Sequence, residues 1–462
     1  ANRIINTKLP GTLWAAGTGK SVLYDLNDAA DDVQKWKIGY NSGEQPINIG
    51  AYAPNELFKT RYTDEQGKQV IEYTNKSGQQ ILKKIQLADM PSAAHSGWIC
   101  TYSIYDDFGL LRYRLQPEAV NYLNNNNWSF AGGNGQQIIN EWCFWYEYDD
   151  KGRNVLKKAP GAQPLRMIYD ARNRIVFMQD GNQAAKSIPE FTANIYDELD
   201  RVVLTTLYRT HKSISQLQAD IASANSSSNI TINNLGSEIT DLIVESRVAG
   251  VSRYAARNSI QIVSTGSTDF VSGSEEEFVA EIDPNALSGT HTTTITTLSN
   301  PISTADLNNP SITTVLKYLY YDDYAFSGVK TFSNAFSNTQ AYATNGTTIP
   351  AINWSKRTLG FVTGSSVRIL GTNSFLHSTM YYTDEGMPVQ ILADNTKTGI
   401  DITTSQYHFD GRLLSTSSNH STAGTGYHNY DILTKQVYDK LGRVEQVQKK
   451  LGSNPFTTIA NY

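Results

Sequence analysis

The sequence predicts an all-β protein assembled from repeated β-hairpins, and three observations carry that prediction. A short phrase recurs along the chain, clearest as Tyr148-Asp149-Asp150-Lys151-Gly152-Arg153 and again as Tyr169-Asp170-Ala171-Arg172-Asn173-Arg174. The stretches between copies alternate apolar and polar residues with the period of a pleated strand. Tyrosine, at 27 residues, outnumbers phenylalanine at 15 and methionine at 5, a balance expected where rings lie between a sheet face and water.

Each residue of the phrase has a structural task. Two or three turn formers follow Tyr-Asp, with Gly152 or Asn173 where a positive φ is expected. An alternating strand then leaves from the Arg, which completes a hairpin. The Asp carboxylate can accept from the turn's own N–H groups, the Arg can reach back to that Asp, and the Tyr suits a half-buried sheet face. Further copies are Thr63-Asp64-Glu65-Gln66-Gly67-Lys68, Thr74-Asn75-Lys76-Ser77-Gly78-Gln79 and Tyr105-Asp106-Asp107-Phe108-Gly109. The phrase returns as Tyr196-Asp197-Glu198-Leu199-Asp200-Arg201 and Tyr438-Asp439-Lys440-Leu441-Gly442-Arg443. Degraded copies are read at Tyr321-Asp322-Asp323, Tyr382-Thr383-Asp384-Glu385-Gly386 and Phe409-Asp410-Gly411-Arg412. Such internal repetition decides the architecture before any single motif does.

Taken in order, residues 1–60 form a leading β segment, with strand-like runs at Ser21 to Leu26 and Val33 to Ile38. Gly17-Thr18-Gly19-Lys20-Ser21 imitates a phosphate loop, but Trp14 stands where its first glycine belongs, and a strand rather than a helix follows. A hairpin turn is the better reading. Residues 61–210 hold the best-preserved repeats, interrupted at Asn121 to Gly135 by a polar stretch read as a surface loop. Residues 211–243 read as a linker whose Ile214, Leu217 and Ile221 have the spacing of one short helix. Residues 244–283 form a separate small β module, 284–317 a polar linker, and 318–462 a divergent block of repeats. The last residues stop where another Tyr-led strand is expected, so the chain reads as a piece of a longer protein.

With these phrases in their order, the sequence resembles the Rhs or YD-repeat family, in its bacterial secreted branch. Glu56-Leu57-Phe58-Lys59-Thr60 leading into Asp64-Glu65-Gln66-Gly67, then the phrase at Tyr105, then the pair at Tyr148 and Tyr169, follow that family's sequence of landmarks. The resemblance implies a spiralling curved sheet, the arc of a shell that encloses a C-terminal payload such as a toxin. It implies export, a secreted or cell-surface location in a bacterium, and the secretion machinery as a transient partner beside the rest of the chain. The inserted module, from Gly250 through Tyr254, Ala256, Ile260 and Ile262 to Gly266, Phe270, Gly273, Phe278 and Ile282, resembles the three-coathanger stack, with Ser267 where that module has Phe. Asp283-Pro284-Asn285-Ala286-Leu287 resembles the family's self-cleavage signature but carries Ala286 in place of its Gly, and a polar linker accounts for it better.

The totals narrow the function. A formal net charge of −5, with scattered Lys and Arg, supplies no basic field for nucleic acid. No apolar run approaches the roughly 20 residues of a spanning helix. Acidic turns such as Asp149-Asp150-Lys151-Gly152 lack the later Glu of a calcium loop, and His420 and His428 have no metal-ligand spacing. Neither cofactor nor metal is expected, and no catalytic residue, since the titratable groups are turn carboxylates. Cys100 and Cys143 occupy equivalent strands of successive repeats. Strands two apart lie about 9.5 Å from one another, beyond the roughly 7 Å a disulfide spans, which argues against a bridge. The alternative to a shell segment is a surface recognition module, with Trp128, Trp142, Trp145 and Trp354 stacking on glycans or a partner protein rather than packing the sheet.

Overall fold

The computed structural model describes residues 6–8, 21–131, 134–224, 227–235, 241–244, 253–256, 259–263, 279–282, 290–298, 300–336, 352–422 and 429–462. The chain is all-β, with a few short helices, and divides into two compact units. One comprises Ala1–Phe191 with Thr210–Gln218, the other Thr192–Arg209 with Ala219–Tyr462.

In the first unit antiparallel strands follow in chain order, from Phe58–Thr63 through Gln69–Thr74, Gln80–Gln86, Trp98–Tyr105, Leu111–Leu115, Cys143–Tyr148, Asn154–Lys158 and Leu165–Tyr169 to Ile175–Gln179. Ser21–Leu26 adds to the Phe58–Thr63 edge. Period-two alternation places the buried residues of successive strands in rows across the sheet. Tyr73, Leu82, Tyr102, Leu115 and Cys143 are aligned in register, and all five are sealed from solvent. Each apolar member contributes roughly 1.5–3 kcal/mol by burial.

Two helices cover this core, and here the reading of Asn121 to Gly135 as a surface loop is corrected. Pro117–Asn125 and Gly135–Trp142 are helical, and their Ala119, Val120, Leu123, Ile138 and Ile139 join the cluster that holds Cys100, Tyr102, Leu115 and Cys143. Pro117 presets the first turn, and the apolar residues recur at helical spacing on either side of the polar Asn run. Those asparagines end the first helix, leaving the intervening residues as connection. The leading ribbon of Gln34–Lys37 and Ile47–Ala51 is tied down by Arg112, which is buried and donates to the carbonyls of Tyr146, Gly39 and Asn41 at 3.2, 2.5 and 3.1 Å. These three bonds, with the buried Asp106 carboxylate 3.7 Å from Nη1, make a buried guanidinium tolerable.

The cysteines are free. Cys143 stands opposite Leu115, and Leu115 opposite Tyr102, so Cys100 is offset from Cys143 along the sheet as well as separated by an intervening strand.

The second unit repeats the ladder from Val202–Arg209 through Thr313–Asp322, Thr358–Arg368, Phe375–Tyr382, Pro388–Asp394, Ile400–Tyr407, Leu413–His420, Tyr430–Tyr438 and Val444–Leu451 to Thr457–Asn461. One apolar cluster among its described residues joins Ile352, Tyr381, Val389 and Leu392, with Tyr324, Phe332 and Trp354 against it. Ile195, Leu204, Tyr208, Val315 and Tyr318 are buried on its first strands, while further along the ladder polar side chains share the buried face, among them Thr379, Gln390, Thr404, Ser415 and Ser417.

Helix Ile214–Ser223 forms where the spacing predicts one. Two stretches read as linker are strands instead: Ser227–Leu235 pairs antiparallel with Thr290–Leu298, setting Ile230 opposite Ile295. Both are rich in the β-branched Thr and Ile that favour a pleated ribbon, a signal masked in the sequence by their polarity. Between them Asp241–Val244 pairs in parallel with Ser259–Ile262, and Arg253–Ala256 with Val279–Ile282. Gly250, Gly266, Phe270, Gly273 and Phe278 of the coathanger resemblance, Asp283 to Gly289, Gly17 to Lys20, and His428 lie outside the described residues.

Candidate functional site: the repeat turns

The recurring phrase folds into one construction. At Asp149 the backbone N–H donates to Arg153 O at 3.0 Å, and the Gly152 N–H donates back to Asp149 O at 2.9 Å. The Asp149 carboxylate accepts from the Lys151 and Arg153 N–H groups at 3.0 and 2.9 Å. Gly152 takes φ 73°, which closes a tight turn with the register shift seen at Tyr148.

The same bonds form at Asp64, Asn75, Asp106, Asp170, Asp197 and Asp439. The positive-φ position is filled by Gly67, Gly78, Gly109, Asn173, Asp200 and Gly442 respectively. Asn substitutes for Asp at position 75 because only a side-chain oxygen is needed. In four copies the arginine closes on its own turn, with Nε of Arg153, Arg174, Arg201 and Arg443 donating to Asp149, Asp170, Asp197 and Asp439 at 2.7, 2.6, 2.7 and 2.8 Å.

Two degraded copies are corrected by the structure. In the copy read as Phe409-Asp410-Gly411-Arg412 the turn opens two residues earlier, with His408 rather than Asp410 in the aspartate position, its N–H donating to Arg412 O, and Tyr407 in the tyrosine position. Asp410 still binds Arg412 Nε at 2.8 Å, but from within the turn. Tyr321-Asp322-Asp323 closes no such hairpin: the strand runs through Asp322 and next pairs with Thr358–Arg368. Asp322 instead receives both terminal nitrogens of Arg201, at 2.9 and 2.8 Å.

Single-copy reasoning from sequence missed how neighbouring hairpins are joined. The tyrosine hydroxyl donates to a carbonyl of a preceding strand, in six copies that of the strand's first residue, whereas Tyr382 reaches Val362 inside its strand at 2.6 Å. Tyr105 reaches Gln80 at 3.4 Å, Tyr148 Leu111 at 3.1 Å, Tyr169 Asn154 at 3.0 Å, Tyr321 Val202 at 3.0 Å, Tyr407 Pro388 at 3.0 Å and Tyr438 Leu413 at 2.8 Å. The arginine of one turn lies over the next tyrosine ring: Arg153 over Tyr169, Arg201 over Tyr321 and Arg412 over Tyr438, at 4.8, 4.3 and 4.9 Å. Arg153 also donates to the carbonyl of Asp170 at 2.7 Å. Tyr and Arg are therefore joints between repeats, and Asp and Gly set the geometry within one. The signal was the constant spacing of Tyr and Arg across copies, which no isolated phrase displays.

Electrostatics match this division. Burial raises the Asp149 pKa, but the Arg153 hydrogen bonds and charge, with the turn N–H groups, outweigh it and leave the carboxyl below its ordinary value. Asp322 is likewise lowered, chiefly by Arg201. A second titratable cluster lies under the first unit. Asp31 accepts from Lys59 Nζ at 2.6 Å and from the Tyr73 hydroxyl at 2.8 Å, while Lys84 donates to the carbonyls of Ala93 and Ala94 at 2.6 and 2.9 Å. Burial takes Lys84 down to about 8, His95 down to about 4 and Cys100 up to about 12. Lys84, Tyr73 and Tyr102 are closed off from solvent, so the cluster offers a substrate no entry.

The tryptophans read as candidate contact rings pack within the protein. Trp128 meets Trp36, Tyr102 and His95; Trp142 meets Tyr122; Trp145 stacks on Tyr113; and Trp354 meets Tyr324 and Tyr381. Among the described residues no group of three His, Cys, Asp or Glu is placed to hold a metal ion, and no helix is long and apolar enough to cross a membrane.

No family model and no curated protein matches the chain. Solved structures similar to it include the TcdB2-TccC3 crystal structure, at a TM-score of 0.33 and 10% identity over 95% of this chain and 17% of that one. The Photorhabdus luminescens Tc holotoxin pore aligns at a TM-score of 0.25 and 9% identity, over 95% of this chain and 26% of that one. A TcdB2-TccC3-TEV structure aligns at 0.25 and 12%, over 95% and 22%. The chain thus spans about a quarter or less of the length of these structures.

Proposed function

We propose that the chain is a structural segment of an exported bacterial protein of the YD-repeat kind, a run of hairpins that helps to wall in a C-terminal payload such as a toxin. The observation that carries this reading is the joint between repeats: Tyr hydroxyls and Arg guanidiniums bind the neighbouring hairpin, as at Tyr438 on Leu413 and Arg153 on Asp170. Phrase residues used in this way are devoted to extending a sheet, hairpin after hairpin, which is what a wall requires. No catalytic residue belongs to this reading, and its partners are the remainder of the chain, the payload and, transiently, a secretion machinery.

The test is the natural protein purified from its source, with intact mass, peptide mapping beyond Tyr462, and limited proteolysis. The proposal expects further Tyr-Asp hairpins followed by a C-terminal piece that copurifies and resists protease until the repeats are unfolded. A mature chain ending near Tyr462 that binds glycan or cells saturably as an isolated protein would replace the wall with a surface recognition module.

A further inference from the structure

Three adjacent strands of the second unit, Val202–Arg209, Thr313–Asp322 and Thr358–Arg368, frame an open groove of about 550 Å³, with Leu207, Arg209, Thr314, Leu316, Arg368 and Thr372 among its lining residues. Strand alternation turns Leu207 and Arg209 to this face while Thr206 and Tyr208 are buried on the other. Arg209 reaches the middle strand from one flank, its Nη2 donating to Thr314 Oγ1 at 3.0 Å. Arg368 reaches it from the opposite flank, its Nε donating to the Val315 carbonyl. The two guanidinium groups therefore converge on neighbouring residues of one strand.

The environment of Arg368 differs from that of the turn arginines. Arg153, Arg174, Arg201, Arg412 and Arg443 each close on a carboxylate. Arg368 has only neutral acceptors: besides Val315 O, its Nη1 donates to Thr372 O at 2.7 Å and to Asn373 Oδ1 at 3.0 Å, and the group lies over the Phe375 ring at 4.7 Å. Its Nη2 donors remain free, and no Asp or Glu lines the groove among the described residues. Burial lowers the Arg368 pKa, in keeping with a cation left without a counter-charge. A half-buried guanidinium fixed at one edge, with two donors to spare and a second cation beside it, is preorganised for an oxygen pair carrying negative charge.

We propose that this groove binds an oxyanion, the phosphate or carboxylate group of a ligand, between Arg368 and Arg209 across Thr314. This gives the second unit a ligand-holding role beyond that of a wall.

The test is calorimetric titration of the full 462-residue chain at low ionic strength with inorganic phosphate and, separately, with acetate. Saturable binding is expected, weakened by about tenfold or more in Arg368→Gln and also in Arg209→Gln, and unchanged in Arg357→Gln, an exposed residue just before the strand whose far end is Arg368. Circular dichroism checks that each variant is folded, and the strand-end Arg209 variant stands if the half-buried Arg368 variant does not fold. Binding of phosphate alone assigns a phosphate-bearing ligand, and binding of acetate extends the site to carboxylates. Absence of saturable binding of either anion, or an equal loss in Arg357→Gln, overturns the proposal.

Discussion

The hairpin at Asp149 in the first unit and the hairpin at Asp439 in the second share the same turn, down to the carboxylate bonds and the positive-φ glycine. The sheet faces that the two turns serve have little in common. Across the first unit runs the sealed row Tyr73, Leu82, Tyr102, Leu115 and Cys143, roofed by two helices. Later in the ladder of the second unit a buried row is polar: Gln390 stands opposite Thr404 and Thr404 opposite Ser417, with Gln390 Nε2 donating to Thr404 Oγ1 at 3.0 Å. Turn chemistry is therefore autonomous. It fixes register and direction, and the buried face is free to be apolar in one place and polar, with its own hydrogen bonds, in another.

The largest effect expected from this contrast is on the apolar row. Leu115→Ala removes a fully buried side chain beneath the helices and should cost about 2–5 kcal/mol, whereas Leu413→Ala, half-buried on the later ladder, should cost about 1 kcal/mol or less. Urea unfolding followed by circular dichroism checks both. Equal losses would mean that the second unit has a tighter core than its polar row implies.

Turns, by contrast, should respond alike in both units. Gly152→Val and Gly442→Val each place a β-branched residue at φ 73° and 78°, and each should cost about 1–3 kcal/mol. At Gly152 the nearest atom to an added Cβ is Leu110 Cδ1 at 3.9 Å, so the cost there is backbone strain and not collision. An unchanged denaturation midpoint for Gly152→Val would remove the positive-φ assignment.

A somewhat smaller effect is expected at Asp149, where Asp149→Ala strips the turn of its acceptor and should cost about 1–2 kcal/mol near neutral pH. Its folded pKa lies below the unfolded value, so the carboxylate's contribution is complete above about pH 3.9 and is lost as pH falls through the folded value. Stability measured from pH 6 downward should accordingly fall less steeply in Asp149→Asn than in the parent. Identical slopes would show that this carboxylate is unperturbed.

Much of this was legible in the sequence, for a physical reason: a hairpin turn is a local object. Asp149, Gly152 and Arg153 lie within one turn, and their bonds follow from spacing and side-chain reach. What resisted reading was non-local or masked by composition. The helices flanking the Asn run were hidden because Asn124 to Asn127 suggest a loop, although Val120, Leu123, Ile138 and Ile139 hold the helical face. The ribbon of Ser227–Leu235 with Thr290–Leu298 was hidden because its partners are far apart in the chain. Asp410 drew the eye to a Phe-Asp phrase, while the actual turn opens at His408, whose role needs only a backbone N–H and carbonyl. Arg209 and Arg368 gave no sequence signal, since only strand pairing brings them to opposite flanks of Thr314 and Val315.

The smallest expected effect also probes the connection between repeats most directly. Tyr148→Phe and Tyr438→Phe keep the ring and delete only the hydroxyl that binds Leu111 or Leu413 of the preceding hairpin. Each should cost about 0.5–1.5 kcal/mol, the net worth of one hydrogen bond, because an open neighbouring edge lets water replace part of it. The difference between them is informative. At Tyr148 the carbonyl of Leu111 lies in the roofed unit, so the loss should fall toward the upper end of that range. At Tyr438 the single hydroxyl proton is divided between Leu413 O and Gln436 Oε1, the latter at 2.6 Å, on a ladder with solvent nearer at hand, and its loss should fall toward the lower end. Hydrogen exchange at the outgoing strands Leu111–Leu115 and Leu413–His420 reports the joint itself. Faster exchange confined to the preceding hairpin is the expected signature of a bond between repeats, and faster exchange only within the tyrosine's own hairpin would place the hydroxyl's role there instead.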